Sequence, residues 1–356
     1  MISGDLWTIW CNIIILGINF QKQSKYQIML FKKDVLKVNP DKVIAEIASA
    51  IKHQVVDVLR RRGAVVGLSG GIDSSVCTAL CTHALGKDNV FVIFMPERVS
   101  APESLSLGQL LTNQLGVNST IENLTSALEG VGCYTRQLEA IREVFPKYDN
   151  NWKCKVTIPS ILQGDRLNVL RLTVESPSGE QSSARMPLAA YLKLIAATNW
   201  KQRIRKAMEY YHADRLNYAV CGTPNRLEYD QGFFVKNGDG SADFKPIAHL
   251  YKTQVYEIAH ALGIPKEITS RPPTTDTYSL AQTQEEFYFA LPYDKMDLCL
   301  YAHNNNIPVG DVASAVGLSA EQVERVFKDI ESKRRGTHYL HMPPMLVEPV
   351  TEIRKD

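Results

Sequence analysis

The chain has 356 residues, 45 % hydrophobic and 22 % charged, a globular composition that excludes wholesale disorder. Forty Lys and Arg stand against 38 Asp and Glu, a formal net charge of +2, so nothing advertises a phosphate-tracking surface and no nucleic-acid partner is expected. The seven cysteines are scattered, odd in number and without a C-x-x-C pair, which argues against a zinc knuckle or a disulfide framework and for free, mostly buried thiols in a reducing cytoplasm.

Residues 1–38 read as an N-terminal extension. Its apolar stretch 6–20 is too short to span a bilayer, and Asp5 sits where a signal peptide carries positive charge, so no membrane association is expected. Met29 is an alternative start, which would leave residues 1–28 outside the native chain. Asn39-Pro40-Asp41 then supplies a cap, a first-turn proline and an acidic first turn. The helix it opens is expected to run to about residue 62, with Val43, Ile47, Ile51, Val55 and Leu59 on one face and Arg60-Arg61-Arg62 at its negative end.

Residues 64–68 form a short β-branched apolar run, the signature of a buried parallel strand. A Ser-Gly-Gly turn follows, then helix to about 85. Residues 90–95 and 117–121 predict two more strands, with helices at 103–115 and 124–145 between and after them. This alternation predicts a doubly wound, Rossmann-like parallel sheet. Residues 147–185 break the rhythm. Segments 153–158 and 167–175 alternate in polarity and a Pro-Ser-Gly-Glu turn stands at 177–180, which predicts an inserted β-hairpin or flap. A long helix is expected over 187–213 and a fourth strand over 216–221. Residues 224–248 read as mostly loop. C-terminal helices are expected at 250–262, 293–305, 308–316 and 319–335, closing a main domain of residues 39–336. The tail 337–356, with Pro343, Pro344 and Pro349, reads as extended.

The strongest chemical signal lies at residues 65–75, VVGLSGGIDSS, where a strand feeds a glycine turn straight into a helix. Glycines let backbone approach an anion closely, and the new helix adds partial positive charge. Ser69, Ser74 and Ser75 offer hydroxyls. The loop is suited to phosphate, yet lacks the Gly-Lys-Ser/Thr ending of a Walker A loop. Asp73 would repel the bound phosphate unless a cation lay between them, and Mg²⁺ is the natural one.

This loop resembles the pyrophosphate loop of the N-type ATP pyrophosphatases. Residues 222–252, GTPNRLEYDQGFFVKNGDGSADFKPIAHLYK, narrow the likeness, for they resemble the NAD synthetase pattern of Gly-Thr, an acidic metal ligand, G-x-F-x-K-x-G-D-G, Asp, Pro and Lys. Asn199–Arg205, Pro273-Thr274-Thr275-Asp276 and, more weakly, Lys333-Arg334-Arg335 with Pro343-Pro344 resemble further motifs of that family. The resemblance implies roles residue by residue. Ser69, Gly70, Gly71, Asp73, Ser74 and Ser75 would hold ATP phosphates, with Asp73 and Glu228 on Mg²⁺. Thr223, Lys252 and Thr274 would contact ATP, and Asp73 and Lys252 would carry the catalysis. Arg203, Lys236, Asp243 and Lys333 would contact the acyl substrate, in the family nicotinic acid adenine dinucleotide. It further implies ATP-driven amide formation from an acid and ammonia through an acyl-adenylate, with AMP and pyrophosphate released, and a homodimer. No segment resembles the family's nitrilase-like glutaminase, so ammonia is expected free or from a separate glutaminase.

Alternatives stay open at this level. The insertion at 147–185 is foreign to the compact family pattern and invites a different carboxylate substrate. A non-catalytic ATP-binding relative, or a tRNA thiolation enzyme, would share the loop. Against the latter, Cys77 and Cys81 read as helix core. Phe287, Tyr288, Phe289 and Tyr293 could stack on a base, but at this density they read as core or dimer contact. His338 and His341 lack partners for a metal set and read as surface residues.

Overall fold

The computed structural model describes residues 31–157, 170–273, 278–280, 282–289 and 291–353. Residues 1–30 therefore lie outside the described residues, and with them the question of the start. So does Thr274. Among the described residues no helix is long and apolar enough to cross a membrane.

Asn39 caps helix α1 (Pro40–Lys52) by accepting from the Lys42 amide at 3.1 Å. The helix does not run unbroken to residue 62. It widens into a π-helical stretch over His53–Val58 and stops at Arg60, whose φ of 53° is left-handed. Strand β1 (Ala64–Gly67) follows, then helix α2 (Ile72–Leu85), strand β2 (Val90–Phe94), helix α3 (Pro102–Leu115) and strand β3 (Asn118–Ile121). The single helix expected over 124–145 is two, α4 (Thr125–Gly130) and α5 (Cys133–Arg142), because Gly132 takes a left-handed φ of 68° between them. The insertion is a three-stranded antiparallel sheet, β4 (Lys153–Thr157), β5 (Arg171–Glu175) and β6 (Gln181–Arg185), in that order. The third strand, QSSAR, has no apolar face to betray it.

Helix α6 (Leu188–Leu216) returns the chain to strand β7 (Ala219–Cys221). The main sheet is parallel with the order β3-β2-β1-β7. Its residues alternate between two buried faces. Val66 and Val92 pack with α1, α2 and the later helix α8 (Lys252–Ala261), whereas Val65, Ile93 and Val220 pack against Ala213 of α6. The chain leaves β1 toward β2 and comes back to pair β7 on its other side. This reversal opens a crevice at the carboxyl ends of β1 and β7.

The segment expected as loop at 224–248 contains a short helix, α7 (Arg226–Gln231), too brief for its periodicity to register. Helices α8 (Lys252–Ala261), α9 (Lys266–Thr269), α10 (Tyr293–Asn304), α11 (Val309–Val316) and α12 (Ala320–His341) complete the chain. Helix α12 corrects the expected tail. It continues past residue 336 and carries His338 and His341, and the chain turns extended only at Met342, before Pro343-Pro344.

The inserted sheet is no loose flap. Cys154, Val156, Leu172 and Val174 are buried against Ala140 and Ile141 of α5, Ala190 and Leu194 of α6, and Tyr278. Leu172→Ala is therefore expected to lower stability by about 3 kcal/mol through lost burial and a residual cavity. Denaturant unfolding measures this, and an unchanged midpoint would show that the sheet adds nothing to the core.

Candidate active site

The turn after β1 is built so that only glycine fits. Gly70 has φ +76°, and a Cβ there would lie 2.4 Å from the Ser104 carbonyl oxygen of α3. The loop's own hydroxyls knit it together. Ser74 and Ser75 donate to the Gly71 carbonyl at 3.1 and 2.8 Å, and Ser69 Oγ accepts from the Gly71 amide at 3.3 Å. The first turn of α2 then presents N–H groups with no intrahelical acceptor.

Ser69, Gly70, Gly71, Asp73 and Ser74 line a cleft of about 580 Å³ at the carboxyl ends of the main-sheet strands. Ser75 does not. It is wholly buried, so its hydroxyl serves the loop and is not offered to a ligand. Six cationic side chains face the cleft: Lys201, Arg203, Arg205, Lys206, Lys236 and Arg271. Four carboxylates oppose them: Asp73, Glu209, Glu228 and Asp239. The balance favours a polyanionic ligand.

Asp73 and Glu228 meet in one closed ring of contacts. Asp73 pairs with Lys252 and accepts from the Asn225 amide group at 3.1 Å. Asn225 is the N-cap of α7, and its backbone N–H donates to Glu228 Oε2 at 3.1 Å, a reciprocal capping box. Glu228 Oε1 accepts from Gln284 at 3.2 Å, and Gln284 Oε1 accepts from the Tyr293 hydroxyl at 2.7 Å. The Tyr293 ring lies 5.5 Å from Lys252 Nζ, closing the circle. One lysine thus serves two carboxylates. Burial, and after it the Asp73 charge, push the Glu228 carboxyl up to about 8. Burial opposes the charge on Lys252, but Asp73 and Glu228 outweigh it and hold its ammonium above the ordinary value. Asp297, itself buried, accepts from the Lys252 and Thr253 amides at 3.2 and 2.7 Å and anchors the start of α8.

The remaining expected residues divide. Thr223, Arg203 and Lys236 line the cleft. Lys236 Nζ donates to the Tyr339 and Met342 carbonyls at 2.6 and 3.0 Å, the negative end of α12. Lys252 does not line the cleft, because it is fully buried behind Asp73. Asp243 does not line it either. It accepts from the Val220 amide at 2.7 Å and the Tyr210 hydroxyl at 3.2 Å, tying the following loop to β7. Lys333 is likewise turned away, engaged by Asp329, one turn earlier on α12, at 2.7 Å and by the Tyr288 carbonyl at 2.7 Å. Cys77 and Cys81 are buried, with Cys81 Sγ 3.8 Å from Cys221 Sγ. Phe289 is core, whereas Phe287 and Tyr288 reach the cleft.

Sequence reasoning passed over several residues of the site. Lys201 and Arg205 stand inside the quoted Asn199–Arg205 motif, and Asp239 inside the Gly-Asp-Gly, so a signal existed for them. Lys201 pairs with Glu97 at 2.9 Å, both buried, and Tyr134 donates to Glu97 at 2.7 Å. Burial alone would raise the Glu97 carboxyl, but Lys201 outweighs it and the net direction is down. The buried Lys206–Glu209 pair and Gln284 carry no local sequence signal.

The model of the NAD synthase family matches residues 43–153 and 171–342. The chain belongs to the NAD synthase family. The break in the match falls within the inserted sheet. Among curated relatives, an NH(3)-dependent NAD(+) synthetase of Rhizobium rhizogenes strain K84 is 59 % identical over 317 residues, covering 89 % of this chain and 96 % of that protein. Another so named, from Thermotoga maritima, is 35 % identical over 286 residues, covering 80 % and 93 %. Among solved structures, an NH3-dependent NAD synthetase of Campylobacter jejuni superposes with a TM-score of 0.55 at 21 % identity, over 87 % of this chain and 100 % of that one. That likeness shows the shared fold of the NAD synthase family.

Two outcomes are expected from this geometry. Gly70→Ala forces both a strained φ and a clash with the Ser104 carbonyl, so ATP binding measured by calorimetry should be lost while the circular dichroism spectrum is retained. For Glu228, a folded pKa raised from 4.5 to about 8 means the folded state holds the proton more tightly. Its contribution to stability is present below pH about 4.5, declines through pH about 8 and stays lost above it. Without divalent ions, Glu228→Gln should therefore melt like the parent near pH 5 and at a higher temperature above pH 8. An equal difference at both ends would remove the titration argument.

Proposed function

We propose that the chain is an ammonia-dependent NAD synthetase, a carbon–nitrogen ligase that converts nicotinic acid adenine dinucleotide, ATP and ammonia into NAD, AMP and pyrophosphate. The observation that carries this reading is the Asp73–Glu228 couple at the mouth of a glycine loop, two carboxylates around one buried lysine. The curated relatives' name and the family match support it.

A carboxylate is a poor acceptor for ammonia, so the acid must first be activated. Its oxygen attacks the ATP α-phosphorus, the bond to the pyrophosphate breaks, and an acyl-adenylate forms. Ammonia then attacks the acyl carbon, and AMP leaves with the carboxylate oxygen. No protein nucleophile is needed. The loop amides and the N-terminus of α2 receive the charge growing on the pyrophosphate. Arg203, Arg205 and Lys236 line the same cleft, and the dinucleotide acid would sit against them.

The donor set fits a divalent ion. Mg²⁺ is commonly held by one or two carboxylates together with substrate phosphates. Burial and the Asp73 charge push Glu228 up to about 8 in spite of Lys252, and a cation would offset both. Asp73 and Glu228 would hold Mg²⁺, and it would neutralise the departing pyrophosphate. Lys252, fixed behind Asp73, pairs with that carboxylate and holds it in place; we assign it this role in place of direct ATP contact. We also propose a homodimer. Leu188 and Leu192, 71 % and 56 % exposed one turn apart on α6, give it an apolar seam. Cytoplasmic residence, and ammonia supplied free or by a separate glutaminase, complete the reading.

With α-labelled ATP, label should appear in AMP only when nicotinic acid adenine dinucleotide and ammonia are both present. Label in ADP would overturn the reaction class, and AMP formed with another acid alone would move the substrate. Asp73→Asn and Glu228→Gln should each lower ATP–pyrophosphate exchange by about 10²–10³-fold, the usual loss when a group stabilising transition-state charge is removed.

A further inference from the structure

We infer that Gln284, on a segment backed by the inserted sheet and locked by Tyr293, is a positioning residue that orients the Glu228 carboxylate toward the divalent ion. The inference rests on the metal reading of Glu228 given above. Each oxygen of Glu228 has its own partner. Oε2 is taken by the Asn225 backbone N–H inside the capping box, and Oε1 by Gln284 Nε2 at 3.2 Å. The capping box alone fixes one oxygen and leaves the carboxylate plane free to turn about it. Gln284 supplies the second point. Its own orientation is set by the Tyr293 hydroxyl at its carbonyl oxygen, which leaves the amide NH₂ aimed at Glu228. An amide is suited to this task, since it donates without bringing a charge that would compete with a metal.

The sheet inserted at 153–185 is what delivers the amide. The Cys154 amide donates to Ser279 Oγ at 2.9 Å, the Leu280 amide donates back to the Cys154 carbonyl at 3.0 Å, and Gln282 reaches the Val156 carbonyl. Ser279, Leu280 and Gln282 are thus laid along strand β4, two residues short of Gln284. From the other side, the Gln284 backbone N–H donates to the Pro273 carbonyl at 3.2 Å. The insertion therefore acts as a wall behind the metal corner. It does not need to touch either substrate to matter for catalysis.

The test reads metal binding directly. Mn²⁺ binding is followed by electron paramagnetic resonance with the full chain and an α,β-methylene analogue of ATP, without acid or ammonia. Gln284→Ala and Tyr293→Phe are each expected to weaken Mn²⁺ binding by about tenfold or more, the scale of outer-shell partners of a metal site. Melting temperature is measured alongside, and Tyr293→Phe, which keeps the ring over Lys252, stands in should Gln284→Ala fail to fold. Glu228→Gln separates the two layers. Unchanged Mn²⁺ binding by Glu228→Gln overturns the metal reading and this inference with it. Loss by Glu228→Gln with parental binding by both Gln284→Ala and Tyr293→Phe overturns the role of Gln284 alone.

Discussion

Two carboxylates, Asp73 and Glu228, are brought to the same corner of a cleft with one buried ammonium, Lys252, to share. Like charges in a confined site repel, and burial raises the cost of each. The fold meets this constraint with neutral hydrogen bonds. Asn225 bridges the two acids, giving its side-chain amide to Asp73 and its backbone N–H to Glu228. Gln284 and Tyr293 close the circle back to Lys252. The result is a corner held in shape but short of positive charge, which is the state a phosphate-bound cation relieves.

The topology explains why these residues converge although they span positions 73 to 293. Asp73 follows β1 and Asn225 follows β7, and the two strands are neighbours only because the chain reverses direction across the sheet between them. Lys252 opens α8, and Asp297 of α10 holds that helix start by its two free N–H groups. The main sheet therefore provides the Asp73–Asn225–Glu228 side, and the helices after it provide Lys252. The inserted sheet, packed against α5, α6, Tyr278 and Phe287 and bonded to Ser279, provides the last side by backing Gln284.

Legibility followed locality. The turn at 69–75 could be read because its requirement is met by adjacent residues: a glycine at positive φ against a foreign carbonyl, serines within one helical turn. Glu228 could be read from its place in a longer pattern, and the alternation of strand and helix announced the parallel sheet. What stayed hidden depended on partners that the motifs themselves do not name, some distant in sequence and some one helical turn away, or on segments too short or too polar for a period. Lys252 looks like a phosphate ligand until Asp73 is seen in front of it, and Lys333 until Asp329 and Tyr288 are seen to engage it. Ser75 looks like a donor to ligand, but its hydroxyl is consumed by Gly71, four residues back. Strand β6 is polar on both faces and α7 spans six residues, so neither has a periodicity to detect.

The same constraint shapes the rest of the cleft. A pocket for polyanions must be positive when loaded yet tolerable when empty. Lys201 and Lys206 are buried and would be costly if unpaired, and each is matched by a carboxylate, Glu97 and Glu209. Lys236 rests on backbone carbonyls at the end of α12, a neutral partner that a phosphate or carboxylate can replace at little loss. Arg205 forms no ion pair among the described residues, although its charge acts on Glu97 and Asp239. The cleft thus grades its cations by how readily they can be released to a ligand. Those fixed to carboxylates set the background field, and those resting on carbonyls or standing unpaired are the ones an incoming anion can take.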